Sequence, residues 1–201
     1  MKPTLLTFDI FGTVVDWRSG LGDPDFDRIV DVQSEFEQQR FRSYTEIVAE
    51  SLVRVRRADV VTAARIASEV GNWPLFPDSR DALRRLRLVV PCAATTNSDR
   101  AHGEQVQAQL GFRLEGWICA EDVRAYKPDR RIWEAASRKM GRPFDRSWWH
   151  VSAYADYDLR TARELGLTAV FVQRPHARPG PADVTVRDLT ALAELVETAD
   201  S

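Results

Sequence analysis

The sequence predicts an α/β protein built on a parallel sheet, and three observations carry that expectation. Short apolar runs alternate with helix-patterned segments. One long stretch near the N-terminus is helix-patterned throughout. The first apolar run, Thr4-Leu5-Leu6-Thr7-Phe8, delivers Asp9 into a turn containing Gly12 and Thr13. A strand buried on both faces of a parallel sheet reads as a continuous apolar run rather than an alternation. Glycine then follows where a side chain would obstruct the backbone. In open parallel sheets ligands bind at the carboxyl edge, which makes Asp9 the first candidate functional residue.

Further strands are expected at 89–94, 117–120, 149–151 and 169–172. Between them, 79–88 sets Leu83 and Leu86 on one helical face, and 131–140 does the same with Ile132, Ala135, Ala136 and Met140 before Gly141 ends the helix. Residues 17–77 differ: they contain no convincing strand, and their patterned segments, 26–55 and 60–70, read as helices. Pro74 and Pro77 cannot continue a helix and mark the return to the sheet. Residues 175–181 read as a loop and 186–197 as a final helix. The chain is therefore expected to comprise a Rossmann-like core, residues 1–16 and 78–201, with helices on both faces, and a small helical cap inserted after the first strand, residues 17–77.

At 201 residues, with 44% hydrophobic residues, the chain has enough apolar side chains for a folded core plus a small accessory unit. A net charge of −2 gives no global positive field, so nucleic acid is not expected as a partner, and Arg54-Val55-Arg56-Arg57 and Arg84-Arg85-Leu86-Arg87 read as solvated helix faces. Cys92 and Cys119 both sit beside apolar residues, which suits reduced buried thiols in a cytoplasmic protein. The N-terminal apolar run is shorter than a signal peptide requires, and eighteen apolar residues never run together, so neither secretion nor a membrane is expected. A small-molecule substrate is the expected partner, and an apolar cap face leaves room for a homodimer.

Four segments fall at expected strand ends and carry side chains suited to chemistry: Asp9 to Thr13, Thr95-Thr96-Asn97, Ala125-Tyr126-Lys127-Pro128, and Ser152-Ala153-Tyr154-Ala155-Asp156-Tyr157-Asp158. In this order, with helices inserted after the first, the chain resembles the haloacid dehalogenase superfamily of aspartyl-nucleophile hydrolases. The resemblance spans nearly the whole chain. Phosphatase members carry a second Asp two residues after the nucleophile, as a general acid. Here that position is Phe11, which cannot donate a proton, and a positioned acid contributes roughly two to four orders of magnitude. A halide leaves without one. Asp9-Ile10-Phe11-Gly12-Thr13 accordingly resembles the L-2-haloacid dehalogenase branch, whose aromatic residue there is usually Tyr.

The resemblance implies hydrolysis of a small (S)-2-haloacid to the (R)-2-hydroxyacid without a cofactor. In the catalytic set it assigns Asp9 as nucleophile, Lys127 as the cation that keeps Asp9 ionised, Asp158 as the group orienting Lys127, and Thr13 as a polar support. Phe11, Thr96, Asn97, Ser152 and Tyr154 become substrate-binding candidates. Where the family carries a cap arginine this chain has Gln38, with Arg40 and Arg42 expected close by on the same helix; Arg40 is the candidate replacement. Tyr154 stands where the family has Asn, and Trp133 stands where it has Tyr, expected to keep an aromatic wall. Trp17, Phe36, Phe41 and Tyr44 are expected to line an apolar pocket under the cap. His102, His150 and His176 lie outside the four segments and receive no catalytic part.

Two alternatives stay open. Asp9 and Asp158, with Asp156 beside them, would hold Mg²⁺ in a phosphatase acting on a substrate with a good leaving group. A catalytically silent binding protein that keeps the fold is the other, since fold does not secure function.

Overall fold

The computed structural model describes residues 2–22 and 24–199. It begins with β1 (Leu5–Phe8), followed by four helices: α1 (Trp17–Leu21), α2 (Phe26–Glu37), α3 (Tyr44–Arg56) and α4 (Val60–Ser68). After a 3₁₀ turn at Val70–Asn72 the chain returns to the sheet through α5 (Ser79–Leu86), β2 (Cys92–Thr96), α6 (Arg100–Leu110), β3 (Gly116–Cys119), α7 (Ala120–Val123), α8 (Arg131–Met140) and β4 (Trp148–Ser152). A π-helical turn at Ala155–Leu159 leads into α9 (Arg160–Glu164), β5 (Thr168–Val172), β6 (Val184–Val186) and α10 (Leu189–Thr198).

The six strands form one sheet in the order β3-β2-β1-β4-β5-β6, all pairs parallel. β1 lies between β2 and β4, so successive crossovers diverge to either side of it. Its carboxyl end is thus the topological switch point, the crevice where such sheets bind ligands. Every residue of β1 is buried. Leu6 and Phe8 face a large apolar cluster that continues into α2, α3 and α4, and Leu5 faces a second cluster with Ile118, Ile132, Trp133 and Trp148. Apart from Thr7 the strand is apolar, because both of its faces are core.

Several element boundaries differ from the expectation. The segment 26–55 is two helices, because a six-residue connection follows Glu37 and Ser43 then opens α3 with a capping box: Glu46 N–H donates to Ser43 Oγ, and Ser43 N–H donates to Glu46 Oε2. β2 starts at Cys92 instead of 89, since Val90 N–H still donates to the Leu86 carbonyl at the end of α5. β6 falls in a region where no strand was expected. The last helix starts at Leu189, where the Asp188 side chain accepts from Ala191 N–H.

The chain leaves and re-enters the sheet layer through a clasp. Asp16 N–H donates to the Pro74 carbonyl at 2.7 Å and Phe76 N–H to the Val14 carbonyl at 3.0 Å. This pairing fixes the four intervening helices over the carboxyl end of β1.

Candidate active site

Asp9 follows β1 directly, its N–H bonded to the Val151 carbonyl of β4. The chain then turns sharply: the Ile10 carbonyl accepts from the N–H groups of Thr13, Val14 and Val15. Gly12 sits at φ +92°, and a Cβ there would lie 2.2 Å from the Tyr154 hydroxyl oxygen, so both backbone shape and space demand glycine. The turn brings Thr13 under the carboxylate, where its hydroxyl donates to Asp9 Oδ2 at 2.7 Å and accepts from Ala153 N–H at 3.0 Å.

Lys127 arrives from the loop before α8. Its Nζ donates to Asp9 Oδ1 and to Asp158 Oδ2, both at 2.9 Å. The backbone of Lys127 is held by Asn97, which follows β2: Asn97 Oδ1 accepts from Lys127 N–H at 2.7 Å. Asp158 sits in the π-helical turn, and its other oxygen meets His150 Nε2 at 3.1 Å. His150 Nδ1 lies 2.9 Å from Thr7 Oγ1, which accepts from Trp148 Nε1–H at 2.8 Å. One tautomer satisfies every member: Trp148 donates to Thr7, Thr7 to His150 Nδ1, and His150 Nε2–H to Asp158.

This network is buried throughout, and burial is the largest influence on Asp9, Asp158 and Lys127. It pushes the Asp9 carboxyl up, with Lys127 opposing. It works equally against charge on Asp158, but Lys127 and His150 outweigh it and hold that carboxyl well below the ordinary range. For Lys127 burial disfavours the ammonium, yet Asp158 and Asp9 prevail and its pKa lies above the ordinary lysine value.

A cavity of about 640 Å³ opens above Asp9. Of the sequence candidates, Asp9, Phe11, Thr96, Asn97, Lys127 and Tyr154 line it, and Thr13 and Asp158 support it from beneath. The Tyr154 hydroxyl is buried with no hydrogen-bond partner among the described residues. Trp17, Phe41 and Tyr44 form part of the wall, as expected; Phe36 does not, being buried beneath the Arg42 guanidinium.

Other expectations are corrected. Arg40 is exposed and outside the lining, because α2 ends at Glu37 and the helical phase expected to carry through 40 and 42 is broken. Arg42 is paired with Glu50 at 2.6 Å. Ser152 is fully buried and accepts from Tyr154 N–H at 3.0 Å, so it shapes the turn without reaching the cavity. Trp133 is no cavity wall: it is fully buried in the second cluster, edge-on to His150 at 5.5 Å.

Three residues were missed. His150 lies outside the four segments, yet its alternation with Trp148 and Ser152 places all three on one face of β4, and its register opposite Thr7 completes the chain to Asp158. Glu37 lines the cavity and lies near Asn97. Arg124 also lines it. Among the lining cations Lys127 is engaged, Arg131 is bonded to Asp129 through Nε and a terminal nitrogen at 3.0 and 2.7 Å, and Arg178 stands 3.8 Å from Asp156. The Arg124 guanidinium lies over the Phe41 ring at 4.9 Å and has no acidic partner among the described residues.

The arrangement does not fit a divalent metal at Asp9 and Asp158. Lys127 Nζ holds the position between the two carboxylates, and the second oxygen of each is already engaged by Thr13 or His150. No group of three or more His, Cys, Asp or Glu among the described residues is placed to hold a metal ion. The Cys92 and Cys119 thiols are free and buried; burial pushes that of Cys119 up to about 12, outside the range of a reactive thiolate. No helix among the described residues is long and apolar enough to cross a membrane.

Residues 3–149 match the family of haloacid dehalogenase-like hydrolases. The chain is 29% identical over 150 residues to an (S)-2-haloacid dehalogenase of Pseudomonas fluorescens, covering 71% of this chain and 65% of that protein. It is 34% identical over 122 residues to a Pseudomonas putida (S)-2-haloacid dehalogenase, covering 59% of this chain and 54% of that one. In both cases the chain spans less than two thirds of the relative's length. Among solved structures, an L-2-haloacid dehalogenase superposes with a TM-score of 0.85 at 24% identity, covering 96% of this chain and 99% of that one. That of Xanthobacter autotrophicus, with chloropropionic acid covalently bound, does so with a TM-score of 0.82 at 16% identity, over 98% and 100% of the two chains. The structural likenesses establish a shared fold.

Proposed function

We propose, from the premise that the chain belongs to the haloacid dehalogenase-like hydrolases, that it hydrolyses the carbon–halogen bond of a small (S)-2-haloacid to give the (R)-2-hydroxyacid. The observation that carries this reading is the pairing of a buried, lysine-held carboxylate with phenylalanine at the position two residues on.

Asp9 Oδ1 or Oδ2 attacks the halogen-bearing carbon from the face opposite the halogen. The new C–O bond forms as the C–halogen bond breaks, halide leaves with its electron pair, and the carbon inverts. Lys127 keeps the attacking carboxylate ionised against the cost of burial, and Asp158 and His150 hold Lys127 in place. Thr13 fixes the carboxylate's rotation through Oδ2. Water then attacks the carbonyl carbon of the resulting aspartyl ester, releases the hydroxyacid and restores Asp9. The unpartnered Tyr154 hydroxyl is suited to orient that water, and burial together with the Asp9 charge raises its pKa, so the phenol remains a neutral donor. Arg124, the lining arginine without an acidic partner, receives the substrate carboxylate in place of Arg40. The helices over β1, with Phe41 and Tyr44 in the cavity wall, act as a lid that limits water. The buried free thiols suit a cytoplasmic protein.

The test is halide release from L-2-chloropropionate with a chelator present, set beside phosphate release from phosphomonoesters and acyl phosphates with Mg²⁺. Chelator-resistant halide release that vanishes in Asp9→Asn is expected. Phosphate release that requires Mg²⁺, without halide release, overturns the proposal.

A further inference from the structure

Glu37 is the last residue of the twelve-residue helix α2, and it faces the same cavity as Asp9 and Lys127. An anionic substrate entering that cavity must come to terms with this carboxyl group. Its surroundings define one of its two oxygens. Asn97 Oδ1 accepts from the Lys127 N–H, so the Asn97 amide nitrogen must point the other way and donate; it lies 3.3 Å from Glu37 Oε2 and 3.3 Å from the Lys127 carbonyl. Oε2 is therefore the acceptor. Oε1 has no protein partner among the described residues, and the residue lines the cavity. A carboxyl group accepting at one oxygen and open at the other is arranged to carry its proton on the open oxygen and donate from there.

Resting on the dehalogenase reading, we propose that Glu37 is a specificity-determining residue: as a neutral carboxylic acid it donates a hydrogen bond from Oε1 to the substrate carboxylate, and as a carboxylate it repels that substrate. Two independent features favour the neutral form. A negative charge on the last residue of a helix opposes the helix dipole. Burial pushes Glu37 up to about 8, against the opposing effects of Lys127 and Asn97. Ionisation thus falls in the range where an enzyme works.

The groups facing Glu37 leave that range to it. Tyr44 of α3, Tyr126 of the loop before α8 and Tyr157 of the π-helical turn are phenols whose pKa values burial raises, so they stay neutral. Lys127, above the ordinary lysine value, stays charged. The remaining lining charges come in opposed pairs, Asp9 with Lys127, Asp129 with Arg131 and Asp156 with Arg178, apart from Arg124. Below the transition the cavity presents a donor and an unpaired guanidinium to an incoming carboxylate; above it the guanidinium faces a competing internal anion.

Propionate, which carries the carboxylate and no halogen, tests this without any chemistry. Its dissociation constant is measured by calorimetry from pH 6.5 to 9.5 for the wild type and Glu37→Gln, which keeps shape and donor but cannot ionise. The wild type is expected to weaken by about tenfold or more across the range, as repulsion between unit charges a few ångströms apart implies, and Glu37→Gln by less than about twofold. Carboxyl ¹³C titration of the wild type checks the ionisation directly, whether or not the variant folds. A flat wild-type profile, the same slope in both proteins, a Glu37 resonance titrating near the ordinary 4 to 5 or no propionate binding at any pH overturns the proposal. Absent halide release with the expected propionate profile would instead fail the dehalogenase reading alone.

Discussion

On the floor of the cavity Asp9, Lys127 and Asp158 are paired with one another, and with His150 they form one buried chain that ends on Thr7 and Trp148. In the wall above, Arg124 and Glu37 each present an open polar group. The floor is anchored in the sheet, with Asp9 following β1 and Thr7, Trp148 and His150 lying in β1 and β4, and Lys127 and Asp158 are tied to these; Glu37 and Arg124 in the wall come from a helix end and a loop. Closed networks hold a reacting atom in one place, whereas open groups wait for a ligand. The difference separates the part of the molecule that would carry out the reaction from the part that would choose the substrate.

Breaking the floor should have the largest effect. Lys127→Met leaves two carboxylates buried without their cation, so a stability loss of about 3–5 kcal/mol is expected by denaturant titration, with loss of activity in whatever fraction stays folded. A stable Lys127→Met would show the network to be far more hydrated than its burial implies. Breaking the wall should spare stability. Arg124→Gln is expected to raise KM for a haloacid about tenfold, the scale of one partly exposed charge-assisted hydrogen bond, while leaving Tm within about 1 °C; an unchanged KM would remove Arg124 from substrate binding.

Tyr154 belongs to both regions and sharpens the contrast. Its hydroxyl is buried and unpartnered, so Tyr154→Phe should leave stability equal or raise it by up to about 1 kcal/mol. Burst kinetics should nevertheless show a slower second step, with ester accumulating. Glu37 adds a dependence on pH. Its folded value lies above the unfolded one, so the folded state holds the proton more tightly and stability declines as pH rises from about 4.3 through about 8. Glu37→Gln should flatten that decline in thermal melts across the same window.

The floor was largely legible in the sequence and the wall was not, for physical reasons. A strand covered on both sides is mostly apolar, as β1 is apart from Thr7, so Asp9 at its end stood out, and Gly12 marked a backbone shape and a close approach that no other residue supplies. Lys127 and Asp158 were identifiable from the order of their segments. His150 was hidden because period-two alternation inside a fully buried strand leaves no polar rhythm, and only the register with Thr7 gives it a role. In the wall, placing Arg40 depended on helical phase continuing past residue 37. The connection before the Ser43 capping box resets that phase, leaving Arg40 exposed, with Glu37 and Arg124 in the lining. Sequence order does not reveal which side of the sheet Trp133 occupies: its helix packs on the opposite face, behind His150.

The central claim is covalent attack by Asp9, and one turnover in heavy-oxygen water tests it most directly. With enzyme in excess over L-2-chloropropionate in H₂¹⁸O, the account predicts that ¹⁸O enters the Asp9 carboxylate, seen as a two-dalton increase in the peptide bearing it, while the first hydroxyacid formed carries ordinary oxygen. Label found in the product of that first turnover, with Asp9 unlabelled, would contradict it.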